Sequence, residues 1–261
     1  YRGEGQPFIA EYEVPVTKGL TILDGLIYIK ENLDGSLSYR MSCRMGVCGS
    51  CGMFINGLPR LACHTQVEEL NSRIIQVAPL PNFPTVKDLI PDLGPLFDKH
   101  KLVSPYIFRT DREEYDHPTR EYRQGVEELE AYLQFSYCIK CGICLSACPT
   151  VATDEAFFGP PALAQAYRYI ADTRDEGLNI RVEALDSQEG PWRCHFAGAC
   201  SAACPKGVDP ALGIQLLKKT IIGRRLGLGK LRPRATIVSP PEGVGPSPEV
   251  PKAPPPTVKR R

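Results

Sequence analysis

Eleven cysteines lie in three tight groups along the 261-residue chain, and their spacing limits the chemistry that they can perform. Cysteines two positions apart rarely reach disulfide geometry, and an odd number of thiols cannot all be paired. Ligation of metal therefore explains the pattern better than a disulfide framework. The groups are Cys43, Cys48, Cys51 and Cys63, then Cys138, Cys141, Cys144 and Cys148, and finally Cys194, Cys200 and Cys204.

The first group has the Cys-x4-Cys-x2-Cys-x11-Cys spacing that is typical of a plant-type [2Fe-2S] site. Gly46 and Gly49 lie between its thiols, so the backbone can curl round a compact cluster and direct amides at the sulfurs. The fourth ligand follows a turn that is predicted at Asn56-Gly57. The alternative is a structural zinc site, which usually takes two separated cysteine pairs and fits this crowded spacing badly.

The second group, from Cys138 to Cys148, matches the Cys-x2-Cys-x2-Cys-x3-Cys-Pro run of bacterial ferredoxins. In proteins with two clusters, the fourth cysteine of such a run binds the cluster of the other run. The third group repeats these spacings, counted back from Cys204, except that Ala197 stands where one cysteine would be. Two cross-linked cluster sites are therefore predicted, and one of them lacks a ligand.

Cross-ligation sorts the remaining thiols into a set of four and a set of three. The set of four predicts a [4Fe-4S] cluster, with Cys138, Cys141, Cys144 and Cys204 as ligands. The set of three predicts a [3Fe-4S] cluster, with Cys148, Cys194 and Cys200 as ligands, because Ala197 offers no donor atom. This assignment uses all eleven cysteines. The alternative is a four-iron cluster whose last iron takes water or a side chain from a partner.

The elements that must position these thiols divide the chain into a strand-rich part, a helical part and a proline-rich tail. Residues 1–95 predict strands near 7–14 and 73–80, a helix over 21–33 and the Asn56-Gly57 hairpin. Prolines between 79 and 95 indicate a linker. Residues 96–235 are predicted to be mainly helical, with helices opening at Pro160 and at Pro210. The tail, 236–261, cannot bury a core and is expected to lie extended against another surface.

Charge and hydropathy exclude two classes of partner. The formal net charge is +1, so no nucleic acid is expected as a partner. No apolar run approaches the 18 or so residues that a spanning helix needs, so any membrane contact is expected to be peripheral. A stretch from Lys218 to Arg234 is basic without an acidic residue, and it fits either anionic lipid headgroups or a solvated face.

With all three groups placed, the chain resembles the iron-sulfur subunit of succinate dehydrogenase and quinol:fumarate reductase. The likeness covers about residues 5–225 and rests on "SCRMGVCGSCGMFINGLPRLAC", "CIKCGICLSACPT", "FFGPPALAQAYRYIADTRD" and "CHFAGACSAACPKGVDP", in that order. It implies an α+β chain, in which an N-terminal β-grasp plant-type ferredoxin domain precedes an all-α bacterial-ferredoxin-like domain.

The resemblance also implies partners and a path for electrons. The chain would lie between a flavoprotein subunit that holds FAD and a membrane anchor that binds quinone, as in respiratory complex II. Electrons would pass from FAD through [2Fe-2S], [4Fe-4S] and [3Fe-4S] to quinone, or backwards when fumarate is reduced. The expected location is the cytoplasmic face of the cell membrane, or the matrix side of the mitochondrial inner membrane in a eukaryote.

Three residues are candidates for the quinone end of this path: His195, Trp192 and Pro149. In the family, a histidine after the first cysteine of the third group lies near the quinone, and His195 matches it. The family's tryptophan after the second group is absent here, which favours menaquinone. Trp192 fits a membrane or subunit boundary. The alternative role of His195 is packing beside the cluster loop, and that of Pro149 is to start a helix.

Two other functions fit parts of the pattern. One is an iron-sulfur subunit of a different flavin-linked dehydrogenase, which the identity of the copurifying flavoprotein would reveal. The other is a zinc-stabilised interaction adaptor, which would be colourless and free of acid-labile sulfide. The chain shows no glycine-rich dinucleotide fingerprint, so FAD and the dicarboxylate site are expected in a partner and not here.

Overall fold

The computed structural model describes residues 8–227 and the backbone of Thr236–Val238. The strands in this part of the chain are β1 (Gly52–Ile55), β2 (Leu58–Leu61), β3 (Val77–Ala78), β4 (Thr85–Lys87), β5 (Ile90–Pro91), β6 (Glu121–Arg123) and β7 (Thr236–Val238). The α-helices are α1 (Ile22–Asn32), α2 (Gly94–Leu102), α3 (Arg112–Asp116), α4 (Val126–Ser136), α5 (Ile143–Ser146), α6 (Pro149–Thr153), α7 (Pro160–Ala171), α8 (Leu178–Leu185), α9 (Ala199–Ala202) and α10 (Pro210–Arg225).

The predicted helix near the N-terminus is confirmed as α1, and a capping box fixes its start. The hydroxyl of Thr21 accepts a hydrogen bond from the amide of Asp24, whose carboxylate accepts one from the amide of Thr21. Ile22, Leu23 and Leu26 are buried, so one face of the helix packs into the core of the first domain. The helix thus supports the sheet beside the first cysteine group.

The predicted hairpin is confirmed as β1 and β2. Asn56 and Gly57 have φ of 45° and 78°, the left-handed conformations that a two-residue turn of this kind requires. β3 pairs with the other edge of β1 and gives the sheet order β2-β1-β3. Met53 and Ile55 of β1 are fully buried in the same core as α1.

Three predictions about the first 95 residues differ from the structure. The described part of the segment near 7–14 forms no strand, and its residues are mostly exposed. The strand predicted over 73–80 shrinks to the two residues of β3, because Ile74 is 76% exposed and only Leu80 lies in the core. The segment predicted as a linker is folded, with β4 and β5 paired as a short hairpin.

The second domain is built mainly from helices, with α7 at its centre. α7 is buried over almost its whole length and packs against α4 and α10. Phe135 meets Tyr167 edge to face, with ring centroids 5.2 Å apart. Both predicted helix starts are confirmed: α7 begins at Pro160, and the carboxylate of Asp209 caps α10 by accepting from the amide of Leu212.

The sequence predicts an all-α second domain. The structure differs, because β6 and β7 pair antiparallel. Residues 121 and 123 are exposed, so this ribbon carries little of the buried apolar face that makes strands visible in sequence. The rest of the predicted tail, 239–261, and the basic residues Lys230, Arg232 and Arg234 lie outside the described residues. Within the described part of the chain, no helix is both long and apolar enough to cross a bilayer.

Candidate iron-sulfur sites

The loop of the first cysteine group wraps its thiols in backbone amides. Amide nitrogens lie 3.2–3.5 Å from the sulfurs and donate hydrogen bonds to them. The Sγ of Cys43 accepts from Met45, Val47 and Cys48, that of Cys48 from Cys43 and Ser50, that of Cys63 from Gly46, and that of Cys51 from Cys63. Such a donor shell suits the negative charge of cluster-bound thiolates and sulfides.

The thiols of this loop differ in their acidity. The pKa of the exposed Cys48 is lowered to about 6 by hydrogen bonds to its sulfur. The largest effect comes from the Ser50 hydroxyl, followed by the amide of Cys43 and then the amide of Ser50. Burial raises the pKa of Cys51 to about 12. A buried thiol of that kind becomes a thiolate when a metal ion replaces its proton, so the donor set fits a bound metal centre.

The second site is a cavity lined by four thiols, those of Cys138, Cys141, Cys144 and Cys204. Burial raises the pKa of Cys141 to about 11 and also raises the pKa of the buried Cys144 well above its ordinary value. The wall of this cavity also includes Pro161 of α7. A pocket of buried thiols is the donor set that an iron-sulfur cluster requires.

The third site is a second cavity, lined by the thiols of Cys148, Cys194 and Cys200. The methyl group of Ala197 is part of its wall, and Pro149 lines its mouth. Burial raises the pKa of the Cys200 thiol to about 11. The structure thus brings the thiols together as a set of four and a set of three, with an inert side chain beside the smaller set.

The two cysteine runs fold alike, which is why their cavities resemble each other. Lys140 and Gly142 have positive φ in the second cysteine group, and Phe196 and Gly198 have positive φ at the equivalent places in the third group. Each loop then enters a one-turn helix, α5 or α9. Within residues 8–227, no three His, Cys, Asp or Glu side chains converge on a point that one metal ion could fill. The thiols instead surround cavities.

The second site is tied to the first domain by Asn82. Its Nδ2 atom donates to the carbonyl oxygens of Leu145, Ser146 and Cys148, at 3.2, 3.0 and 3.3 Å. These carbonyls close the end of α5 and lead into α6. Ile143, the first residue of α5, is buried in the core of the first domain. The two domains therefore share the loop that carries Cys141 and Cys144.

The three quinone candidates lie around the third site, in different settings. His195 is exposed and follows Cys194 directly, and Pro149 is exposed at the cavity mouth. Trp192 is 38% exposed, donates from Nε1 to the carboxylate of Asp186 at 2.8 Å, and lies under the guanidinium of Arg225.

One functional neighbour of the third site was missed by the sequence reasoning. The Nζ of Lys218 donates to the carbonyl oxygen of Cys194 at 3.1 Å. From the sequence, Lys218 is part of the basic stretch that ends at Arg234 and that fits lipid headgroups or a solvated face. The position of Lys218 on α10 was the available signal. Lys218 follows the buried Ile214 by four residues and precedes the buried Ile221 by three, so it lies on the same helix face as both.

Comparison with known proteins identifies the families to which the cysteine-bearing segments belong. Residues 1–98 match the family described as "2Fe-2S iron-sulfur cluster binding domain", and residues 134–208 match the "4Fe-4S dicluster domain" family. The chain is 48% identical over 217 residues to the fumarate reductase iron-sulfur subunit of Mycobacterium tuberculosis, covering 83% of this chain and 87% of that protein. It is 38% identical over 220 residues to the succinate dehydrogenase iron-sulfur subunit of Paracoccus denitrificans, covering 84% and 83%.

A solved structure extends the likeness to three dimensions. A chain of the Mycobacterium smegmatis Sdh1 complex in the apo form superposes with a TM-score of 0.71 at 27% identity, over 82% of this chain and 90% of that chain. The sequence matches span both domains and all three cysteine groups. The chain therefore belongs to the family of iron-sulfur subunits of succinate dehydrogenase and fumarate reductase, and transfers electrons within such an enzyme complex through its 2Fe-2S and 4Fe-4S domains.

Proposed function

We propose that this chain conducts electrons between the FAD of a flavoprotein subunit and a quinone at a membrane anchor, by way of three clusters. The ligand sets are those of the three sites: Cys43, Cys48, Cys51 and Cys63 for [2Fe-2S]; Cys138, Cys141, Cys144 and Cys204 for [4Fe-4S]; Cys148, Cys194 and Cys200 for [3Fe-4S]. When bound, these clusters supply one-electron redox chemistry. Succinate oxidation and fumarate reduction use the same relay in opposite directions.

The observation that carries this proposal is the division of seven thiols between two cavities, four in one and three in the other. Crossing of the runs supports it, because Cys204 lines the first cavity and Cys148 lines the second. Ala197 lies beside the three thiols and cannot ligate a metal. A [3Fe-4S] cluster follows, since a cube without a protein ligand at one corner readily loses that iron.

The three sites follow one another in space, which is what a relay requires. The first cysteine loop touches the second site, where Gly49 approaches Cys141. Cys144 of the second site and Cys200 of the third are both buried and pack together with Ala211. The chain's own part is to hold the thiolates close together, exclude water and offer amide donors to the sulfurs of the first loop.

The third site is the end at which a quinone would bind. His195 is exposed there, and its imidazole would be available to donate a hydrogen bond to a quinone carbonyl. Trp192 and Pro149 would border the same site, and menaquinone remains the favoured quinone. Lys219, Arg224 and Arg225 are basic residues of α10, a composition that suits a peripheral contact with anionic lipid on the cytoplasmic or matrix face.

The helix and three-stranded sheet of the first part support a β-grasp assignment for residues 1–95. The helices from α3 to α10 support a second domain over 96–235, although α2 begins two residues before that boundary. We assign the [2Fe-2S] site to the first and the other two sites to the second. The flavoprotein would then meet the first domain, whose cluster loop exposes Met45 and Val47, and the anchor would meet the second.

Electron paramagnetic resonance during a redox titration of the purified complex tests the proposal. The expected result is three centres, one of which is paramagnetic when oxidised. Two four-iron clusters without an oxidised three-iron signal would contradict the assignment of Cys148, Cys194 and Cys200. Identification of the copurifying flavoprotein and its substrate separates this enzyme from another flavin-linked dehydrogenase, and iron and sulfide analysis separates it from a zinc-containing adaptor.

A further inference from the structure

Gly49, in the first cysteine loop, lies directly against Cys141 of the second site. A Cβ atom built on Gly49 would be 2.7 Å from the Cβ of Cys141 and 2.9 Å from its Cα. Gly49 is buried and has a φ of +77°, a conformation that side chains rarely adopt. The backbones that carry a thiol of one centre and a thiol of the next are therefore in contact, with no side chain between them.

The loop that carries Cys141 is also closely packed around this contact. A Cβ atom on Gly142 would lie 3.0 Å from the ring of Phe83, and Ile143 is fully buried in the core of the first domain. Three residues after Gly49, a Cβ atom on Gly52 would lie 3.4 Å from the carbonyl oxygen of Cys141. The position of Cys141 relative to the first loop is thus determined by close packing.

We propose that Gly49 is a positioning residue that sets the spacing between the first and second centres. This inference rests on the proposed ligand sets. Gly49 is one peptide bond from Cys48, and the Cβ that it touches carries the Sγ of Cys141. One electron leaves the reduced centre at the first loop and reduces the oxidised centre at the second. No bond or proton is exchanged, so distance and the intervening atoms control the rate.

A methyl group at this position would have to separate the two loops. The closest contact of 2.7 Å must grow by 0.7 Å to reach 3.4 Å, the lower limit of ordinary van der Waals contact. The opposing atoms belong to the backbone and Cβ of a ligand, which cannot rotate away as a flexible side chain would. The two centres would move apart, and the electronic and magnetic coupling between them would fall.

The test compares Gly49→Ala with Gly57→Ala in the assembled enzyme complex. Gly57 is a matched control, because its φ of +78° imposes the same backbone strain but no atom lies within 4 Å of its added Cβ. Both variants are fully reduced, and the spin–spin interaction between the first two centres is measured by electron paramagnetic resonance. The rate of electron transfer between these centres is then followed by rapid mixing, and iron and sulfide contents are determined in parallel.

Gly49→Ala is expected to retain its iron and sulfide, to weaken the spin–spin interaction, and to slow electron transfer between the two centres several-fold. Gly57→Ala should behave as the parent does in each respect. If the spin–spin interaction and the rate of electron transfer are the same in Gly49→Ala as in Gly57→Ala while both clusters are present, the proposal is overturned. A parent complex without the two centres would instead contradict the proposed function, so the two failures are distinguishable.

If Gly49→Ala prevents assembly, Gly52→Val decides the question. Gly52 has an ordinary φ, and a Cβ atom there would already lie 3.2 Å from the end of the Leu80 side chain and 3.4 Å from the Cys141 carbonyl oxygen. The two γ carbons of valine need more room than these contacts leave, so they press on the loop of Cys141 without a cost in left-handed backbone strain. A loss of the spin–spin interaction is expected, and an unchanged interaction would overturn the proposal.

Discussion

The Nζ of Lys218 donates a hydrogen bond to the carbonyl oxygen of Cys194, at 3.1 Å. Lys218 is half-buried in the middle of α10, so its charge is only partly screened by water. Cys194 belongs to the proposed three-iron site. The bond places a positive charge beside a centre that becomes more negative on reduction, and it should therefore raise the reduction potential of that centre.

Replacement of this lysine by a neutral side chain should lower the potential of the third centre. A unit charge within about 10 Å of a redox centre contributes about 1–2 kcal/mol at an effective dielectric constant near 20, or several tens of millivolts for one electron. We expect a downward shift of that size in Lys218→Met, measured by redox titration of the oxidised three-iron signal. Lys219→Met is the control, because Lys219 is exposed on the same helix. Equal potentials in both variants would contradict the prediction.

Ala197→Cys should change the composition of the third centre. The new thiol would join Cys148, Cys194 and Cys200 around the second cavity, supply the missing ligand, and favour a four-iron cluster of lower potential. The oxidised three-iron signal should disappear, and quinone reduction should slow. Ala197→Val is the control, since it adds bulk without a donor atom. Persistence of the oxidised three-iron signal in Ala197→Cys would show that ligand number does not exclude the fourth iron.

Features that depend on neighbours in the chain were predictable from the sequence. The Asn56-Gly57 pair indicated the hairpin, and Pro160 and Pro210 indicated helix starts. Each of these signals lies within a few residues of the structure that it produces. The two cavities combine distant cysteine groups, and they were predictable because paired runs of this spacing share their fourth ligands. The β6–β7 pairing was missed because it joins residues more than 110 positions apart through backbone atoms, which leave no pattern of side chains.

Long-range polar contacts were missed for the same reason. Asn82 lies in a segment that its prolines marked as a linker, yet its amide reaches carbonyls 63 to 66 residues further along the chain. Its φ of +63° suits asparagine, but that preference is shared by many loop residues. Only the folded chain reveals that this residue joins the first domain to the second site.

Asn82→Asp should weaken that connection. A carboxylate cannot donate, so it would face the carbonyls of Leu145, Ser146 and Cys148 with like partial charge. We expect the free energy of unfolding to fall by about 1–3 kcal/mol, because the side-chain donor is lost and a carboxylate faces these partly buried carbonyls instead. The midpoint of thermal unfolding of the purified complex measures the effect. Asn71→Asp is the control, because Asn71 is exposed and shares the left-handed backbone. Equal midpoints for the two variants would contradict the prediction.

His100 should make the stability of the fold depend on pH. Its Nδ1 is buried, and no described residue provides it with a hydrogen-bond partner. Burial, followed by the charge of Lys140, lowers the pKa of His100 to about 4. The pKa in the unfolded chain is about 6.5, so between these values the unfolded chain binds more protons than the folded one. Stability therefore rises with pH across this window and is lost as the pH falls.

His100→Phe should remove most of this dependence, because phenylalanine fills a similar space and does not titrate. Between pH 7 and pH 5 the parent should lose about 1–2 kcal/mol of stability through this group, and the variant should keep it. Thermal midpoints at each pH measure the difference, and the visible absorbance of the clusters, recorded in parallel, separates unfolding from cluster loss. His117→Phe is the control, because His117 is exposed. An equal loss in His100→Phe and in the parent would show that other groups cause the acid sensitivity.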